Sequence, residues 1–141
     1  HDMPPAAGYL EYGHVKLREQ LGLLSGPVEE FQKSATAEHN AMLNMLVEEG
    51  YLDKAALDDE AANENEIVDA LYRGLKGSPC KLMAASIVDA VGEKRTQNQP
   101  GTNNEYPNWR IPLADGDGNV VPLEKLFDEP RLQEITAIMR G

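Results

Sequence analysis

The residues best suited to chemistry lie in one run of the sequence, residues 97–110, which reads Gln-Asn-Gln-Pro-Gly-Thr-Asn-Asn-Glu-Tyr-Pro-Asn-Trp-Arg. The run holds the single tryptophan of the chain, together with prolines, a glycine and several amide side chains. It has neither a helical nor a strand period, so the sequence predicts a shaped loop. Irregular loops of this composition are typical of surfaces that a regular scaffold displays to a ligand. Residues 97–110 are called the amide loop below.

Other groupings of reactive residues do not form a self-sufficient site. Residues 115–119, Asp-Gly-Asp-Gly-Asn, place oxygen ligands at positions 1, 3 and 5 of a calcium loop. Val120 then stands where glycine is needed, and Leu126 cannot supply the final carboxylate. The pattern therefore predicts a turn, with neither a metal nor a cofactor. No phosphate-binding glycine loop and no nucleophile elbow occur in the sequence.

The sequence pattern predicts that the histidines and most acids are solvated surface residues without a catalytic or metal-binding role. His14 and His39 have no carboxylate or cysteine at ligand spacing and are predicted to be solvated residues of polar helical faces. The numerous acids are likewise predicted to be solvated on such faces. Paired carboxylates for glycoside chemistry would have to flank one pocket and differ in environment, and no such pair is evident.

Two motifs at opposite ends of the chain resemble one known family. Residues 1–10 read His-Asp-Met-Pro-Pro-Ala-Ala-Gly-Tyr-Leu, and the amide loop fits the pattern NxPGTxxEYPNWR. Together they resemble the carboxy-terminal part of the 4-α-glucanotransferases (amylomaltases, glycoside hydrolase family 77), in which a His-Asp step precedes such a loop. The similarity is strong in residues 1–24 and from 79 to about 126, and weaker between them. Two departures are Pro4-Pro5, where the family often has hydroxyl residues, and Ile111-Pro112, where many members have a basic residue.

The resemblance implies roles for five residues. Asp2 would be the third of three catalytic acids, accepting hydrogen bonds from sugar hydroxyls as the ring flattens toward the transition state. His1 would donate to the same sugar, and Asn98 would line the substrate groove. Trp109 would offer its face to a sugar ring, with packing in the core as the equally weighted alternative. Arg110 would brace the loop by ion pairing.

The reaction that the resemblance implies is retaining transfer of α-1,4-glucan segments between maltooligosaccharides. Such chemistry needs two carboxylates about 5 Å apart, a nucleophile and an acid/base. The family motifs that would supply them are not found in this sequence. Because the chain opens inside the His-Asp motif without an initiator methionine, we expect a fragment that is inactive alone. The alternative for this end of the chain is that His1 is a tag residue and Asp2 a linker.

The expected fold class is mainly α: the helical carboxy-terminal portion of a (β/α)₈ barrel enzyme, with one or two short strands and a small hairpin. Within a single fragment of a larger catalytic domain, we expect a helical segment at 1–77, the last barrel strand and the substrate loop at 78–110, and a hairpin with terminal helices at 111–141.

Apolar periodicity predicts several individual helices. One helix should run from a cap at Gly26 to near Gly50, burying the stripe Val28, Phe31, Ala35, Met42, Met45 and Leu46. A second face, Ile67, Leu71 and Leu75, should be stopped by Gly77, and a last helix should carry Leu132, Ile135 and Met139. The apolar run 80–91 is ambiguous: its composition favours a helix, whereas the resemblance implies a barrel strand entering a short helix around Asp89.

Bulk properties narrow the class of protein. With 141 residues the chain has room for one core, and its net charge of −11 disfavours nucleic acid as a partner. The single Cys80 cannot close an intrachain disulfide, which favours a reducing cytoplasm. No apolar run approaches the ~20 residues of a membrane helix.

Two alternatives compete with the transferase interpretation. One is a glycoside hydrolase that transfers to water, because acceptor choice depends on loops that this sequence does not contain. The other is an independent, acidic helical interaction module without catalytic activity, which should behave as a monomer. A severed piece of a barrel should instead expose the apolar surface of residues 82–88 and self-associate.

Overall fold

The computed structural model describes residues 2–140, and these residues form seven α-helices and one 3₁₀ helix. The α-helices are α1 Ala6–Leu10, α2 Gly13–Gln20, α3 Val28–Glu48, α4 Glu64–Gly77, α5 Ile87–Ala90, α6 Leu123–Leu126 and α7 Pro130–Arg140; the 3₁₀ helix is Lys54–Asp59. The expectation of a mainly helical chain is therefore confirmed. No helix in the described range combines the length and apolar character that crossing a bilayer requires.

Helix α4 lies at the centre of the core and packs against α1, α3 and α7. Ile67 is fully buried, and Leu71 and Leu75 pack on the same core, as their spacing predicted. Helix α4 ends at Gly77, also as predicted. Ile135 of α7 is buried against this cluster, so the first and last parts of the chain share one hydrophobic interior.

Helix α3 buries only part of the stripe that its apolar residues predicted, and it also buries two residues outside that stripe. The buried positions are Ala35, His39, Leu43 and Leu46, whereas Met45 is exposed. The prediction is confirmed for Ala35 and Leu46 and was wrong for Met45, because His39 was taken to interrupt the apolar face. Including it restores a spacing of four, four and three, which is the regular period of a helix face.

The predicted barrel strand is absent from the described part of the chain. Residues 81–86 have no regular secondary structure and pair with no other segment, and only α5 follows. A strand is stabilised by ladder hydrogen bonds to a neighbour, and nothing within residues 2–140 lies beside this segment to form a ladder with it. In consequence Leu82 is 94% exposed and Ile87 is 51% exposed.

The predicted hairpin exists in its smallest form. A single antiparallel bridge joins Ala114 to Val120, and the Val121 amide donates to the Leu113 carbonyl at 2.9 Å. Asp115 closes the turn with its own side chain, which accepts hydrogen bonds from the backbone N–H groups of Asp117 and Asn119 at 3.0 and 2.8 Å. The acidic run is thus a turn stabilised by a carboxylate that bonds its own backbone.

Candidate functional site

The two motifs that lie farthest apart in the sequence meet in the structure. The Asn98 side-chain amide donates to the Asp2 carboxylate, with Nδ2 and Oδ1 2.7 Å apart. Asp2 is exposed and Asn98 is partly exposed, so this pair faces the outside of the molecule. The predicted partner residue His1 lies outside the described residues.

The amide loop is built by its own side chains. Gln99-Pro100-Gly101-Thr102 forms a turn in which Gly101 has φ +87° and the Thr102 amide donates to the Gln99 carbonyl at 3.3 Å. Proline followed by a glycine at positive φ is typical of a type II turn. Asn108 spans the loop: its Oδ1 accepts from the Gln99 amide at 2.7 Å, and its Nδ2 donates to Thr102 Oγ1 at 2.8 Å. The amides predicted to face a ligand are thus partly structural.

The ends of the amide loop close on each other at Trp109. Its backbone N–H donates to the Gln97 carbonyl at 2.8 Å, which gives the loop the closed shape of an Ω-loop. Trp109 has φ 60°, a left-handed conformation that costs a bulky residue free energy and is concentrated at functional sites. Its side chain is 62% exposed. Within residues 2–140 the indole is therefore displayed and does not pack in the core.

An open cavity of about 700 Å³ lies beside this indole. Trp109 and Gln97 line it from the amide loop, and Met3 lines it from the segment after Asp2. Its remaining lining comes from α1, α3, α4 and α5 with their neighbours: Pro4, Pro5, Ala6, Tyr9, Glu38, Met42, Leu71, Ser86, Val88 and Asp89. Largely apolar walls with a few polar groups are typical of small-molecule sites.

Among the described residues, the ion pair that holds the start of the amide loop near the hairpin is made by Arg95 and not by Arg110. Among residues 2–140 the Arg110 side chain is exposed, and its predicted bracing role stays a prediction. Arg95 instead contacts Glu93 through Nε at 2.9 Å and Nη2 at 2.7 Å, and it also donates to the Pro112 carbonyl at 3.0 Å. These bonds tie the start of the loop to the hairpin.

Glu93 is a buried acid that no sequence pattern singles out. Its side chain is 1% exposed and accepts the Arg95 amide at 2.9 Å and the Ala114 amide at 3.0 Å. Burial by itself would raise the pKa of Glu93, but the hydrogen bonds from Arg95 and Ala114 outweigh burial and lower the pKa. The prediction that the acids are solvated on helical faces therefore fails for Glu93, which has no periodic neighbours to signal burial.

His39 was also predicted to be solvated, and this is wrong. It is 2% exposed, its Nε2 lies 2.7 Å from Glu60 Oε2, and its ring stacks on Tyr12 with centroids 5.1 Å apart. His14 is half-buried and stacks on Tyr9 at 5.0 Å, and burial lowers its pKa. A hydrogen-bonded imidazole fits an interior face that an unpaired one would not. Both rings serve the packing of α1 and α2 against α3.

Replacing Glu60 with alanine should destabilise the protein by about 1–3 kcal/mol, because His39 Nε2 would be left buried without a partner. Urea unfolding measures this loss. Asp58→Ala is the matched control, since Asp58 is an exposed acid of the 3₁₀ helix that ends just before Glu60, and its removal should change the free energy of unfolding by less than about 0.5 kcal/mol. Equal effects of the two substitutions would contradict the assignment.

The described side chains near the two motifs are chiefly hydrogen-bonding and aromatic groups. In residues 2–140 no three His, Cys, Asp or Glu side chains gather in a way that could hold a metal ion. The Asp2 carboxylate and the Asn98 amide can offer hydrogen bonds to hydroxyl groups, and the exposed Trp109 indole can offer a flat apolar face to a ring. Such a combination of groups is typical of carbohydrate-binding sites.

Comparison with known proteins gives the family. Residues 1–116 match the family model of glycoside hydrolase family 77, described as 4-alpha-glucanotransferase. The chain belongs to this family, as the two terminal motifs predicted. Membership excludes the interpretation as an unrelated helical interaction module.

Individual relatives agree with this assignment. A 4-alpha-glucanotransferase of Mycobacterium tuberculosis is 46% identical over 141 residues, covering 100% of this chain and 19% of the relative. A 4-alpha-glucanotransferase of Haemophilus influenzae is 26% identical over 136 residues, covering 94% of this chain and 19% of the relative. The crystal structure of amylomaltase from Corynebacterium glutamicum superposes with a TM-score of 0.85 and 35% identity, covering 99% of this chain and 20% of that one. The chain thus spans about a fifth of the length of these proteins.

Proposed function

We propose that this chain supplies one side of the substrate groove of a 4-α-glucanotransferase, which transfers α-1,4-glucan segments between maltooligosaccharides. The observation that carries the proposal is the 2.7 Å hydrogen bond between Asn98 and Asp2. It joins the two family motifs at one place, and the chain neighbours of this pair, Met3 and Gln97, line a cavity together with Trp109. A site assembled from residues 96 positions apart is not a by-product of local sequence.

In this proposal Asp2 stabilises the transition state and does not attack. Its carboxylate accepts hydrogen bonds from sugar hydroxyls, and these bonds strengthen as positive charge develops on the ring. Asn98 orients that carboxylate, His1 donates to the same sugar, and Trp109 stacks on a neighbouring ring. Arg110, exposed at the end of the amide loop, is free to reach a glucan hydroxyl.

The nucleophile and the acid/base of the retaining double displacement are inferred to come from residues other than those of this chain. Two carboxylates line the cavity, and each is already engaged. Asp89 uses one oxygen for the Ala6 amide and the other for the Tyr72 hydroxyl, at 2.7 and 2.6 Å. Glu38 lies beside the Tyr9 hydroxyl, where burial first and Glu38 second raise the pKa of Tyr9 to about 12.

A segment exchange tests the proposal. This 141-residue chain would replace the matching segment of the mycobacterial relative, with which it shares 46% identity. We expect the hybrid to disproportionate maltotriose into longer and shorter oligosaccharides, and the chain alone to leave maltotriose unchanged. A folded but inactive hybrid, or an active isolated chain, would overturn the proposal. Release of shortened glucans and glucose without elongation would instead favour the hydrolase alternative.

Trp109 should report directly on glucan binding, because it is the only tryptophan of the chain. We expect maltoheptaose to shift its fluorescence, and Trp109→Ala in the hybrid to weaken maltoheptaose binding about tenfold through loss of stacking. Calorimetry measures the affinity. Phe127→Ala, which removes another exposed aromatic ring away from the cavity, is the matched control and should leave affinity unchanged.

Self-association of the isolated chain stays a prediction. The exposed apolar side chains of Leu82 and Ile87 should drive it, so Leu82→Ser with Ile87→Ser should shift light scattering toward the monomer mass. Leu123→Ser, which removes another exposed leucine from α6, should have a smaller effect. A strictly monomeric unsubstituted chain would contradict this expectation.

The exposed free Cys80 is consistent with our proposal of a cytoplasmic location.

A further inference from the structure

Asp89 occupies an unusual place between three elements of the cavity. Its Oδ1 accepts the backbone N–H of Ala6 at 2.7 Å, and its Oδ2 accepts the Tyr72 hydroxyl at 2.6 Å. The Tyr72 oxygen in turn accepts the Ser86 amide at 3.0 Å. One carboxylate on α5 therefore links the beginning of α1, the middle of α4 and the extended segment before α5.

The link to Ala6 matters because Ala6 begins α1. The first amides of a helix have no acceptor within the helix, and Asp89 supplies one from another part of the chain. Pro5, the cap residue, has φ −55° and ψ 149° and cannot supply a side-chain acceptor. The position of the first turn of α1 is thus set by Asp89.

Only three residues separate Ala6 from Asp2, and two of them are Pro4 and Pro5. Proline has a fixed φ, and it also restricts the residue before it to extended conformations. The segment is therefore a stiff spacer, which transmits the position of Ala6 to Asp2. This gives a physical reason for the two prolines that depart from the family pattern.

Tyr72 is suited to hold Asp89 in place. It is buried in the core cluster around α4, and burial, followed by its hydrogen bond to Asp89, raises the pKa of its hydroxyl. The hydroxyl therefore stays protonated at neutral pH and donates to Asp89. Neither oxygen of Asp89 is left to act on a substrate.

We propose that Asp89, held by Tyr72, is a positioning residue that fixes Asp2 against Asn98 across the Pro4-Pro5 spacer. The proposal rests on the proposed function, since it assigns to Asp89 the placement of the carboxylate that stabilises the transition state. A residue that merely holds the fold together would not move Asp2 selectively, and this difference can be measured.

The matched control is Asp69. It is also a partly buried acid that joins elements, through an ion pair of 2.8 Å to Arg131 that ties α4 to α7. Asp69 does not line the cavity. Asp69→Ala should therefore weaken the fold without changing the placement of Asp2.

The first experiment measures geometry in the 141-residue chain by nuclear magnetic resonance. In the unsubstituted chain, the Asn98 side-chain amide protons should give cross-relaxation to the β protons of Asp2. Asp89→Ala should abolish these signals, and Asp69→Ala should keep them. Signals retained in Asp89→Ala would overturn the proposal. If Asp89→Ala does not fold, Tyr72→Phe, which removes the donor but keeps the ring, takes its place with the same two outcomes.

The second experiment measures catalysis in the hybrid enzyme. Asp89→Ala should lower kcat about 10- to 100-fold, the size of effect expected from a displacement of about 1 Å at a reacting centre. KM should stay within about threefold, because ground-state contacts with the glucan are kept. Asp89→Asn should recover part of the loss, since an amide oxygen can still accept the Ala6 N–H.

The outcomes separate the two proposals. An inactive unsubstituted hybrid would overturn the proposed function, while the resonance experiment still decides whether Asp89 places Asp2. An active hybrid whose kcat is unaffected by Asp89→Ala would overturn the positioning role alone. An equal fall of kcat in Asp69→Ala would also overturn it, because the effect would then be one of general stability.

Discussion

Asp2→Asn in the hybrid enzyme should lower kcat for maltotriose disproportionation by about 10²- to 10³-fold, with a much smaller change in KM. The substitution keeps the size of the side chain and one acceptor oxygen but removes the negative charge. Losing a preorganised electrostatic partner of the transition state has an effect of this size in other enzymes. Initial rates of glucose release from maltotriose measure the change.

The control for Asp2 is Asp117→Asn, which removes the charge of an exposed acid in the hairpin turn. Its kcat should be within about twofold of the unsubstituted hybrid, as expected for a surface substitution away from the site. Retention of more than half the activity by Asp2→Asn would rule out Asp2 as a catalytic residue. A fall in affinity with unchanged kcat would instead make Asp2 a residue of ground-state binding.

The second large effect is on stability: Glu93→Ala should destabilise the chain by about 2–4 kcal/mol. Arg95 is 44% exposed, so its ion pair with Glu93 is screened by water and contributes little. Most of the loss comes from the backbone N–H groups of Arg95 and Ala114, which would lose their acceptor. The Ala114 amide has no access to water as a substitute.

Urea unfolding at neutral pH measures this effect, with Glu124→Ala as the control because Glu124 is an exposed acid of α6. Glu124→Ala should change the free energy of unfolding by less than about 0.5 kcal/mol. A comparably small effect of Glu93→Ala would show that the hairpin and the amide loop are held in place by other contacts.

The pH dependence of stability provides an independent check on Glu93. The pKa of Glu93 is lowered in the folded state, so the folded protein binds its proton less readily than the unfolded chain does. The stability it contributes is present above the unfolded pKa of 4.5 and is lost as pH falls through the folded pKa. Glu93→Gln should therefore have a lower free energy of unfolding than the unsubstituted chain at neutral pH, and this difference should become smaller as pH falls below about 4.5. A difference that does not depend on pH would contradict the assignment.

The sequence alone was sufficient for the family and for much of the helical framework. The His-Asp step and the pattern of the amide loop are specific combinations of residue types, so they identify a family without any knowledge of contacts. The face of α4 and its end at Gly77 follow from local rules, since apolar spacing and a terminal glycine act within one helix. Pro100-Gly101 likewise encodes its own turn.

Tertiary structure decided the positions that depend on a distant partner. His39 is buried because Glu60 accepts its hydrogen bond, and Glu93 is buried because Arg95 and Ala114 surround it with donors. No periodic pattern encodes such pairings, so both residues appear in the sequence as ordinary polar side chains. The prediction of a strand at residues 81–86 was wrong for the converse reason. A strand needs a neighbouring strand to pair with, and no described segment of residues 2–140 pairs with this one.

In the candidate site, too, some features follow from the sequence and others only from the tertiary structure. The sequence by itself predicted which residues the candidate site contains, because residue type determines what a carboxylate, an amide or an indole can bind. Only the folded chain brought Asn98 to 2.7 Å from Asp2, and only it turned Trp109 outward. Contacts between residues far apart in sequence depend on how helices pack, and packing is a property of the whole chain that no single segment specifies.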